Sequence, residues 1–85
     1  MQGTGPVTVD GVTVYAYFTD RPGGVVRVRV SADEWERLDL FPGRPVRVGL
    51  PGRGPADVWV TSATHLPPFV WVDLAPRPPA PPRAG

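Results

Sequence analysis

Four times the chain places an aliphatic residue on every second position. The runs are Val26-Arg27-Val28-Arg29-Val30, Val46-Arg47-Val48, Val58-Trp59-Val60 and Val70-Trp71-Val72. A period of two sends neighbouring side chains to opposite faces of an extended strand. The valines therefore share one face, and arginines and large aromatics share the other. No helix accommodates this spacing, and a lone strand or two-stranded ribbon cannot bury so many valines.

The chain has 85 residues, so a single domain with a modest core is expected. It contains no cysteine, which removes disulfides and thiolate metal sites as sources of stability. The strands must stabilise one another by packing.

Punctuation divides the chain. Residues 1–6 are small and read as a flexible start. Val12, Val14, Ala16 and Phe18 alternate with Thr13, Tyr15, Tyr17 and Thr19 over a strand at 12–19. Asp10-Gly11 marks either a two-residue hairpin from a short strand 7–9 or a bend in one long strand. Arg21-Pro22-Gly23-Gly24 is a turn that folds a strand at 25–30 back on 12–19. Ser31 followed by Glu34 fits a capping box, which opens one or two helical turns to residue 38. Trp35 and Leu38 share a face of that helix, and with Leu40 and Phe41 they form an apolar plug for an open end of the sheet. Further strands follow at 46–50, 57–63 and 69–74, separated by Pro51-Gly52-Arg53-Gly54-Pro55 and by the break at 65–68.

These elements predict an all-β fold. It is a small five-stranded, mostly antiparallel barrel of SH3-like or OB-like size, with one short helical insert. The barrel domain spans 7–75. Residues 76–85 form a proline-rich tail, read as polyproline II or disordered, in which 78–83 fits a PxxPxR pattern.

The face opposite the valines carries Tyr15, Tyr17, Arg27, Arg29, Arg47, Trp59, Phe69 and Trp71. Rings and guanidinium groups paired across strands stabilise a sheet with nothing bound. The same residue types are enriched at the centres of protein interfaces. They also suit single-stranded nucleic acid, whose bases stack on rings while arginines hold phosphates. A net charge of +1 supplies little phosphate neutralisation, which puts a protein partner or a second copy ahead of nucleic acid. All nine basic residues are arginine, and lysine, isoleucine and asparagine are absent. That bias reads first as a GC-rich coding sequence.

Catalytic and metal-binding patterns are missing from the sequence. His65 is the sole histidine and has no second ligand for a metal. Ser31 reads as a cap and Ser62 as a strand residue, neither beside a base. The glycines of 51–55 lack the strand–loop–helix context of a phosphate loop. No apolar run approaches the roughly 20 residues that span a bilayer. The expectation is a cytoplasmic, non-enzymatic binding or assembly module without cofactor or metal. Its partner-binding residues are Tyr15, Tyr17, Arg27, Arg29, Arg47, Trp59 and Trp71.

Overall fold

A computed structural model describes residues 2–79 of the chain. Its strands are β1 (Gln2–Val9), β2 (Val12–Arg21), β3 (Val25–Ser31), β4 (Pro45–Gly49), β5 (Ala56–Leu66) and β6 (Phe69–Ala75). They close in the order β1-β2-β3-β6-β5-β4, and every neighbouring pair is antiparallel. The barrel has six strands rather than five. The sixth is β1, which begins at Gln2 and pairs with β2 along its whole length. The strand expected over 7–9 is extended because Gly3 and Gly5 are small enough to pass close to Phe18 and Pro51.

Asp10-Gly11 forms a hairpin, not a bend. Val9 pairs with Val12, and both turn residues have positive φ, 49° and 85°. This is the mirror-image turn whose twist matches two antiparallel strands. Pro22–Gly24 makes a short 3₁₀ turn into β3, with Gly23 at φ 81°.

The valine phase holds around the barrel. Val28, Val30, Val46, Val48, Val60, Val70 and Val72 are buried in one cluster with Val7, Val9, Val14, Ala16, Phe18 and Leu74. Val12 was expected on the inner face but lies at the outer limit of β2, 43 % exposed. Alternation along β5 is interrupted by a bulge between Val60 and Ser62. Beyond it Ala63 and His65 pair with Val72 and Val70, while Thr64 and Leu66 pair with Trp71 and Phe69. β5 thus continues through His65 and Leu66, where a break was expected, and only Pro67-Pro68 turn the chain.

The helix α1 (Ala32–Leu38) follows β3 directly. The Ser31 hydroxyl accepts from the Glu34 N–H at 3.1 Å, and the Glu34 carboxylate accepts from the Ser31 N–H at 3.1 Å. The helix stops at Asp39, which takes a left-handed conformation. Leu38 and Leu40 are buried, and Trp35 packs against the core and edge-on to His65 at 5.3 Å. These residues close one end of the barrel. Phe41 does not join them. It starts a tight turn in which the Arg44 N–H donates to its carbonyl, and its side chain is 51 % exposed.

Strand order and register relate the two halves, β1–β2–β3 and β4–β5–β6, by an approximate two-fold. β3 and β6 pair about Val28 and Val72, so Val26 opposes Leu74 and Val30 opposes Val70. β1 and β4 pair at Val9 and Val48. The pair Val7–Val14 in the first half corresponds to Val46–Val58 in the second. An axis between antiparallel neighbours exchanges the two ends of the barrel. Residues 76–79 follow β6 without regular structure. The part of the expected tail at 80–85 lies outside the described residues.

Candidate functional site

Arg29 is the centre of the outer wall. It lies on β3 between Tyr17 of β2 and Trp71 of β6, its directly paired neighbours. Its guanidinium carbon is 4.3 Å from the Phe69 ring centre, 5.4 Å from that of Tyr17 and 5.8 Å from that of Trp71. Tyr17 and Trp71 meet edge to face at 6.1 Å. Three rings thus surround one cation, an arrangement worth roughly 0.5–1 kcal/mol per exposed contact. The rings engage the guanidinium, yet its N–H donors have no carboxylate within ion-pair distance among the described residues.

The other paired arginines differ. Arg27 donates to both carboxylate oxygens of Asp73 across β3 and β6, at 2.7 and 3.1 Å. The Ser62 hydroxyl donates to the same carboxylate at 3.2 Å. Arg53 holds Asp20 by two bonds, Arg44 binds Asp10, and Arg47 reaches Asp57 at 3.4 Å.

The hydrogen bonds from Arg27, with a smaller share from Ser62, hold the Asp73 carboxyl below its ordinary value of 3.8. A carboxyl lowered on folding adds stability above its unfolded value and loses it as pH falls through the folded one. Asp73→Asn should therefore flatten the acid limb of stability below pH 3.8, while costing about 1 kcal/mol at neutral pH for a partly buried pair. Denaturant titrations at several pH values check this, and an unchanged acid limb would remove Asp73 from it. Arg53 similarly lowers Asp20 to about 2.

The seven residues proposed from the sequence do not form one surface. Tyr17, Arg27, Arg29 and Trp71 are contiguous on β2, β3 and β6. Arg47 and Trp59 lie on β4 and β5, lining a separate depression with Asp10, Pro45 and Asp57. Tyr15 lies two residues before Tyr17 on the same face of β2, opposite Pro6 and 70 % exposed. Trp59 and Trp71 are both partly exposed, so the barrel does not bury either. Period-two reasoning names the outer wall but not where it curves.

Two further residues join the contiguous patch. Thr64 and Leu66 line a groove with Arg27 and Trp71 on the β5 side. The bulge brings them to the outer wall, and the spacing of Val60 and Ala63 in the sequence already breaks the alternation there. His65 belongs to β5 and not to a loop, and its ring contact is with Trp35. Among the described residues, no three His, Asp or Glu side chains gather as metal ligands, and no helix is long and apolar enough to cross a membrane. No protein-family model, curated protein or solved structure matches this chain.

Proposed function

We propose that the chain is a non-enzymatic binding module that holds a protein partner on the β2–β3–β6 wall. Arg29 receives an acidic side chain of that partner. Tyr17, Phe69 and Trp71 supply the apolar contact, and Leu66 extends it. The supporting observation is the state of Arg29, with its guanidinium among three rings and its N–H donors unused by any carboxylate among the described residues. Stacking orders the planar fork in advance, so less entropy is lost when a carboxylate binds. A hydrogen bond to a charged group contributes about 1.5–3 kcal/mol, enough to anchor a small interface.

Single-stranded nucleic acid is the competing ligand, because the rings suit stacked bases. It is disfavoured by the charge distribution. Arg27 of the wall already faces Asp73, and a net charge of +1 supplies little positive charge to follow a phosphate chain. The likeness in size to SH3-like and OB-like barrels adds nothing about function by itself. A cytoplasmic location suits a chain that uses no disulfide.

The test is a titration followed by NMR at the Arg29 Nε–H and Trp71 Nε1–H signals. The probe is a short peptide with aspartate and leucine in alternation, and its lysine-containing counterpart is the control. Saturable shifts at both signals with the acidic peptide alone are expected. Equal shifts with both peptides, or larger shifts with a single-stranded oligonucleotide, would reject the protein reading. Shifts on dilution without any peptide would assign the wall to a second copy.

A further inference from the structure

The pseudo-two-fold provides an internal control, because each inward position near one end has a counterpart near the other. At the end closed by α1, Val70 is 1 % exposed and Val14 is 4 % exposed. Their counterparts Val26 and Val58 are the same residue type, yet both are only partly buried. What covers them must differ.

After β3, the Ala32 N–H donates to the Pro68 carbonyl at 3.3 Å, and α1 crosses the end. After β6, the corresponding contact places Pro76 over Gly24, 3.5 Å from where a Cβ would stand. There the likeness ends. Pro76-Arg77-Pro78-Pro79 carries proline at three of its four positions, which drives the residue before each proline out of helical backbone, and it forms no helix. The second half has no equivalent of Leu38 and Leu40 at this point among the described residues.

A cavity of 220 Å³ remains in the open mouth. Val26, Val48, Leu50, Val58 and Leu74 form its apolar floor, and Arg53 and Asp57 stand on its rim. Both rim charges are already engaged, Arg53 by Asp20 at 2.8 and 3.2 Å and Asp57 by Arg47 at 3.4 Å. No buried side-chain polar atom among the described residues lacks a partner. The mouth therefore offers apolar surface and no vacant charge.

We propose that this mouth is a binding site for a small, uncharged, apolar molecule built on one ring. Size and charge define the class. Apolar cavities of about 150 Å³ already take up benzene. Pockets for drug-sized ligands begin at about 300 Å³, which sets the upper limit. A charged ligand would leave its charge unpaired against the valine floor. The site is separate from the Arg29 wall and does not depend on it.

The test titrates isobutylbenzene, and separately its carboxylated analogue, into the full chain. Methyl signals of Val26, Val58 and Leu74 are followed, together with the melting temperature. Saturable shifts confined to those methyls and a rising melting temperature are expected with isobutylbenzene. The carboxylated analogue should bind weaker by about tenfold or more. Val58→Phe and Val26→Phe fill the cavity from different strands, so either folded variant suffices to abolish the shifts. Absence of saturable shifts up to the solubility limit would overturn the proposal. So would shifts centred on Trp71, or methyl shifts on dilution without ligand, which would mean a second copy occupies the mouth. Binding seen only after removal of residues 80–85 would assign the mouth to the chain itself and also overturn it.

Discussion

Phe18→Ala is expected to lower the unfolding free energy by about 3–5 kcal/mol, the usual cost of deleting a buried ring. Phe18 is the largest side chain directed into the barrel from β2. It pairs with Gly3 on one side and Val28 on the other and is 5 % exposed. Domains hold only about 0.05–0.15 kcal/mol of stability per residue, so this one change removes a large share of the total. At about 4–8 °C per kcal/mol, the melting temperature should fall by roughly 12 °C or more. A Cβ at Gly3 would stand 3.4 Å from the Phe18 ring. Gly3→Val should therefore recover part of the loss in the Phe18→Ala background by entering the vacated space. Thermal and denaturant unfolding of the two single variants and the double variant measure this. A loss under about 1 kcal/mol for Phe18→Ala would show that the ring is not a core element.

Arg29→Ala is expected to weaken the acidic peptide by about tenfold or more, since it removes hydrogen bonds to a charge. Arg29→Lys should fall between, because an ammonium keeps the charge but loses the planar fork that the rings orient. Arg47→Ala should leave binding unchanged, since Arg47 stands in the other depression, paired with Asp57. The peptide titration is repeated on each variant after its unfolding curve confirms folding. Equal weakening by Arg29→Ala and Arg47→Ala would reduce the effect to general charge and reject the assigned site.

Much of the barrel is legible in the sequence because its signals are local. Valine alternation gives strand and phase, Asp10-Gly11 gives a hairpin, and Ser31 with Glu34 gives the helix start. β1 is less legible. Gly3, Gly5 and Pro6 look like a loose end, and only pairing with β2 makes them a strand. The bulge after Val60 is visible as a broken alternation, but its effect on Thr64 and Leu66 requires knowing that β6 is the partner. The site is the least legible. Whether Trp59 neighbours Trp71 depends on strand order and closure, which are long-range. Arg27 and Arg29 are neighbours of the same type in one strand. They differ only because Asp73 opposes one and Trp71 the other.

Closure itself is therefore the claim on which the site stands, and it rests on a short seam. β1 and β4 pair at Thr8–Gly49 and Val9–Val48, and Asp10 continues the contact by donating its N–H to the Arg47 carbonyl at 2.8 Å. Asp10 also accepts the Arg47 N–H on its carboxylate at 2.9 Å. The most direct measurement is an NMR search for cross-strand proximity between backbone protons of β1 and β4, combined with amide exchange. Contacts from Thr8 and Val9 to Gly49 and Val48, with a slowly exchanging Asp10 N–H, are expected. No contacts across this seam, with rapid exchange at Asp10, would mean an open sheet and would contradict the division of its outer residues into two separate patches.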